Sequence, residues 1–94
     1  MIEIDDIRDV IARDTWTSTG KDGKTITHEI IIGRPFQIPD DRNHDWVCPV
    51  LIEKFTSRIV PAYGVGPVDA LMNAMVLVKA FFDKIHKGEK LTTP

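Results

Sequence analysis

The chain is short of most things that announce chemistry. Its 94 residues hold one cysteine, three histidines and 7% aromatics, with no excess of positive charge. The lone Cys48 cannot close an internal disulfide, which points to a reducing compartment and a cytoplasmic location. No basic N-terminal region runs into an apolar stretch, so a signal peptide is not expected. The longest apolar region, 74–82, is interrupted by Lys79 and is far too short to cross a bilayer. A net charge of −2 leaves no basic stripe to gather phosphates, so neither nucleic acid nor a membrane is an expected partner.

Motifs for cofactors are missing as well. Gly64-x-Gly66 lies ahead of a helical pattern, but the third glycine of a dinucleotide fingerprint is replaced by Asp69, and no parallel strand follows. A carboxylate in the first helical turn repels a phosphate there, and no Gly-Lys-Ser/Thr sequence is present. The same residues suit a helix start: Gly66 as cap, Pro67 at the first helical position and Asp69 near the free amides. His28, His44 and His86 share no metal-ligand spacing, and the acidic loop lacks the oxygen spacing and central glycine of an EF-hand. No cofactor or metal is expected.

What is present is a clear order of elements. Val10–Ser18 and Thr25–Ile32 are rich in β-branched and aromatic residues and flank Gly20-Lys21-Asp22-Gly23-Lys24. A two-residue Asp-Gly turn pairs Trp16 with Glu29 and mixes polar and apolar residues on both faces. A three-residue Lys-Asp-Gly loop pairs Ala12 with Ile32, Trp16 with His28 and Ser18 with Ile26. It gathers Val10, Ala12, Trp16, Ile26, His28, Ile30 and Ile32 on one face, leaving Arg13, Thr15, Thr17, Thr27 and Glu29 on the other. A slip of one residue exchanges the faces, so the second register is the expected one.

Residues 33–45 read as a loop, with Pro35 able to end the second strand at an edge. Trp46–Phe55 reads as a third strand with Trp46, Cys48, Val50 and Ile52 on one face, and Arg58–Tyr63 as a fourth, where Pro61 suggests an edge. Pro67–His86 has helical periodicity: Ala70, Leu71, Ala74, Met75, Leu77, Val78, Phe81, Phe82 and Ile85 occupy one half of the wheel. Gly88 supplies a stop. The expected fold is a single α+β domain, an antiparallel sheet of about four strands with one long C-terminal helix on one face. The ends, 1–9 and 89–94, are left undefined, since Ile4, Ile7 and Ile11 suit a helix while Ile2 and Ile4 suit a strand. The other sheet face is expected to be polar or used by a partner.

Val10-Ile11-Ala12-Arg13, Ile32-Gly33-Arg34-Pro35, Trp46-Val47-Cys48-Pro49 and Gly64-Val65-Gly66-Pro67-Val68-Asp69-Ala70-Leu71 occur in that order, and they resemble motifs of a family of small uncharacterised bacterial proteins, a domain of unknown function. The resemblance spans residues 10–82, departs at Gly66 and Asp69, implies the same sheet-plus-helix fold and a cytoplasmic setting, and brings no activity with it.

The sequence therefore suggests a non-enzymatic protein-interaction module. One concrete form is an immunity-type inhibitor whose acidic patch blocks a cationic toxin site. A second is a homodimer paired through an edge strand or the uncovered sheet face. The candidate contact residues are Asp40, Asp41, His44, Asp45 and Trp46 in the acidic loop, with Met72 and Val76 on the outer side of the helix. An enzyme would instead require Cys48, His28 and Asp14 to converge.

Overall fold

The computed structural model describes residues 4–39 and 42–87, the side chains of His86 and Lys87 excepted. Asp40, Asp41, Gly88 and the tail therefore lie outside the described residues. Val10–Thr19 (β1) and Thr25–Gly33 (β2) form the hairpin in the three-residue register, with Ala12 opposite Ile32, Trp16 opposite His28 and Ser18 opposite Ile26. Gly23 takes the left-handed conformation at φ 83°, and its amide donates to the Gly20 carbonyl at 2.9 Å. Only glycine holds that conformation without strain, which is how one turn residue selects which side chains meet the core.

The stretch expected as a loop contains one more element. Phe36–Gln37 (β3) pairs with Trp46–Ile52 (β4) on the same edge that β2 uses. Ile32 faces Val50 while Phe36 faces Val47, so four steps on one side match three on the other, a bulge at Arg34-Pro35. Val60–Gly64 (β5) pairs along the far edge of β4. Pro49 stands opposite Pro61, so two missing N–H donors share one rung.

Pro67–Lys87 (α1) packs on the sheet over a core of Ile30, Ile32, Cys48, Val50, Ile52, Ala70, Ala74, Val78 and Phe81. Met75 departs from expectation: it lies at the margin of the apolar half and is 38% exposed. The helix begins where the sequence places it. The Ala70 amide makes the first bond back to the Gly66 carbonyl, and Asp69 Oδ2 accepts the Val65 amide at 2.9 Å. Asn73 Nδ2 donates to the Tyr63 carbonyl at 2.6 Å and fastens the helix to β5.

The second sheet face is not left bare over β2 and β4. Ile4 and Ile7 are half-buried, and a side chain at Gly33 would meet Ile7 Cγ2 at 2.7 Å and Pro49 Cγ at 2.6 Å. The Arg34 amide donates to the Asp9 carbonyl at 2.7 Å, tying the N-terminal segment down, and Val47 beneath this face is fully buried. Over the hairpin this face is polar, as expected, with Arg13, Thr15, Thr17 and Thr27 exposed; over the end of β2 and over β4 the chain covers part of it with its own residues 4–9.

Gly64 fixes how closely the helix approaches. A Cβ there would lie 2.7 Å from Ala70 Cα, against backbone that has no room to move, whereas one at Gly66 meets nothing within 4 Å. Gly64→Ala is therefore expected to cost about 3 kcal/mol or more in urea unfolding, and Gly66→Ala under about 1 kcal/mol. Equal losses in the two variants would show that the close approach does not govern packing.

Candidate functional site

Cys48, His28 and Asp14 do not come together. Cys48 is fully buried and its thiol donates to the Gly33 carbonyl at 3.3 Å. His28 is also buried, five residues along β2 from Gly33, or roughly 16 Å at the rise of a strand. Its Nδ1 faces the Glu53 carbonyl at 2.7 Å, and since a carbonyl only accepts, Nδ1 carries the proton. Nε2 is hydrogen-bonded to Ser18 Oγ at 2.9 Å. Phe81 closes over the ring edge at 5.0 Å between centroids. Both ring nitrogens are occupied by the fold, which makes His28 a satisfied core residue that links β1, β2 and the end of β4.

Asp14 sits elsewhere, on the edge strand. Its carboxylate accepts the Thr15 amide at 2.8 Å and Trp16 Nε1 at 3.2 Å. In an antiparallel strand alternate amides face away from the partner, and the Thr15 amide, bound to its own neighbour's side chain, is one of these. Asp14 therefore blocks part of the open β1 edge against strand addition. Arg13 does not neutralise it, being held on the opposite sheet face by Glu29 at 2.7 Å.

Beside Asp14 lies a shallow groove of about 210 Å³ lined by Ala12, Ile30, Ile32, Val78 and Phe82, with Arg13 and Asp14 at its rim. One helix cannot cover the full width of the sheet. Phe82 stacks on Trp16 at 4.2 Å between centroids and props α1 against β1 there, and the groove is the space left alongside. Its volume falls below that of ordinary small-molecule sites, and its polar equipment is a single carboxylate.

The expected contact residues separate into two groups. In the acidic loop, His44 is exposed with φ 55°, and its carbonyl accepts from Gln37 Nε2 at 3.2 Å. The Asp45 carbonyl accepts the Ile38 amide at 2.9 Å, and Trp46 is half-buried against the core cluster. Trp46 thus spends much of its ring inside the fold. On the helix, Met72 and Val76 are 57% and 67% exposed, as anticipated. Val68 (68%) and Val65 (84%) continue the same line toward the β5–α1 corner. Residues 68, 72 and 76 are four apart, so the spacing that marked Met72 and Val76 also contained Val68.

Among the described residues no group of three His, Cys, Asp or Glu side chains could hold a metal ion, and no helix is long and apolar enough to cross a membrane. The fold and surface define an α+β two-layer protein with an open antiparallel sheet. Compared with models of protein families, with curated proteins and with solved structures, the chain gives no significant match.

Burial pushes the Cys48 thiol above its ordinary value of 9.0. The folded chain then holds that proton more tightly than the unfolded one, so the associated stability is complete below pH 9.0 and declines above it. Native Cys48 should label slowly with a thiol reagent until denaturant is added, and Cys48→Ala should lose less stability than wild type between pH 9 and 10.5. Fast native labelling at neutral pH would contradict the buried thiol. For the edge, Asp14→Ala should speed hydrogen exchange at the Thr15 amide and increase light scattering at high protein concentration. Unchanged exchange would show that the carboxylate does not guard the strand.

Proposed function

We propose that the chain is a non-enzymatic protein-interaction module whose contact surface is the outer face of α1. The observation that carries this reading is the line Val68, Met72 and Val76, each more than half exposed on a helix whose opposite side forms the core, with exposed Val65 just ahead of it. With Met75, 38% exposed, at its flank, the line gathers apolar side chains on one surface, as contact sites do. Lys79 and Asp83, paired at 3.1 Å, close one end of the line with charge, and Asn73 borders it. A rim of this kind around an apolar centre is the usual anatomy of a protein interface. The fold spends no buried polar network on this surface, so its residues are free to serve recognition.

The test uses the intact chain immobilised and exposed to extract of its native host. Met72→Glu/Val76→Glu should lose the specifically captured proteins while unfolding within about 0.5 kcal/mol of wild type, as surface substitutions do. Capture of the same proteins at equal strength by both forms would remove this face from consideration.

A further inference from the structure

The open edge of the sheet carries a second surface, separate from the outer face of α1. β1 is the last strand of the sheet, and no described strand lies beyond it. The Gly20 amide donates to the Lys24 carbonyl, and counting back from that rung turns the main-chain groups of Arg13, Thr15, Thr17 and Thr19 away from β2. The opposite edge is closed by contrast. In β5, Pro61 has no N–H to offer, and two residues on, the Tyr63 carbonyl accepts Asn73 Nδ2 at 2.6 Å. Strand addition has one long edge to use, and it is β1.

A groove runs beside that edge on the helix side. Ala12, Ile30, Ile32, Val78 and Phe82 line it, with Asp14 at the rim. Too small for an ordinary ligand, it is of a size to take a large apolar side chain. A strand laid along β1 would point alternate side chains toward it, as Ala12 and Asp14 do. The charge left at the rim is negative. Arg13 is held across the sheet by Glu29 at 2.7 Å, and among the described residues no cation pairs with the Asp14 carboxylate.

We infer that the β1 edge binds an extended segment of another protein, added antiparallel as a further strand, with a Lys or Arg against Asp14 and, two residues later, an apolar side chain in the groove. The order follows from the pairing. In an antiparallel ladder the partner of Ala12 comes two residues after the partner of Asp14, which reads Lys/Arg-x-apolar. The base has a second effect. Asp14 Oδ1 holds the Thr15 amide at 2.8 Å, so a strand without a base meets a capped donor. A strand with one draws the carboxylate to itself and frees that amide for the ladder. Asp14 thereby admits one kind of strand and turns others away.

A second copy of this chain does not meet these terms. Over the regular part of the strand, 12–19, its own β1 paired about a two-fold axis offers Ala12, Asp14, Trp16 or Ser18 to the groove side. Ala12 leaves the groove empty, and Asp14 adds a like charge. Trp16 is stacked on Phe82 at 4.2 Å, and Ser18 is buried against His28. None brings a base to Asp14 or apolar bulk to the groove.

The probe is the peptide Ac-Thr-Thr-Thr-Lys-Thr-Leu-NH2, added to the intact chain while solvent exchange of the β1 amides is followed by NMR. It should slow exchange at Arg13 and Thr17 by about tenfold at ten times its dissociation constant. The Ala12, Asp14 and Trp16 amides, already turned to β2, should not change. Peptides with Glu in place of Lys, or Ser in place of Leu, should bind about tenfold or more weakly. In Asp14→Asn the Lys and Glu peptides should bind alike; a preference for Lys that persists there overturns the role of Asp14. No slowing at Arg13 and Thr17 up to about 2 mM peptide overturns the inference, as does equal binding of the Lys and Glu peptides to the wild-type chain. Slowing of these amides in the chain alone as its concentration rises would make a second copy the occupant and overturn it too. Met72→Glu/Val76→Glu should bind the peptide at wild-type strength whatever it does in host extract. A loss there would move the peptide to α1 and away from the edge.

Discussion

The structure depends on how near the helix backbone comes to β5. Gly64, Ala70 and Ala74 place almost no side-chain volume between them, so α1 settles directly on β4 and β5 at its N-terminal end. Toward its C-terminal end the spacers change character. Phe81 packs against His28 and Phe55, and Phe82 stacks on Trp16, so large rings separate helix and hairpin where small residues separated helix and β5. The groove beside β1 follows from that change, and so does the outward stripe. A helix pinned through one face to an open sheet has no second layer to cover the other.

The polar interior is economical. His28 satisfies both ring nitrogens without a charge partner, one from a hydroxyl across the hairpin and one from the carbonyl that ends β4. A buried ring so placed is worth keeping only if every donor and acceptor is met, because an unmet one costs about 1–3 kcal/mol. Cys48 follows the same rule at lower stakes, donating to Gly33 from within the core. Both residues look reactive by type and are structural by position.

Much of the fold was legible in the sequence for identifiable reasons. The hairpin register was readable because the two candidate turns exchange faces and only one separates Ile30 and Ile32 from Thr15 and Glu29. The helix and its start were readable from periodicity and from Pro67 and Asp69. Other features had no local signal. A two-residue strand such as Phe36–Gln37 carries no pattern of its own, and its pairing depends on a bulge set by Arg34-Pro35. The cover supplied by Ile7 is a tertiary contact that an isolated N-terminal segment cannot reveal. Of the candidate contact residues, Met72 and Val76 stood out on the wheel, while Val65 and Val68 did not, because the cap motif drew attention to their backbone rather than their side chains. Trp46 looked like an anchor from its acidic neighbours, yet packing decides its place. Gly33 and Gly64 both sit where a Cβ would collide, so close packing requires glycine at each.

The rung shared by Pro49 and Pro61 bears on how β5 is held. The β1–β2 hairpin turns through five residues, and its ladder runs unbroken from Thr19–Thr25 to Ala12–Ile32 before a register shift at Val10, so most of it rests on local contacts. The β4–β5 pairing has a rung without amide donors, and β5 is joined to the body of the protein as much by Asn73 and the glycine-lined helix seat as by its ladder. Strand β5 and α1 are thus held to each other as one strand-and-helix piece, in which one face of α1 seals the core while its apolar line looks outward.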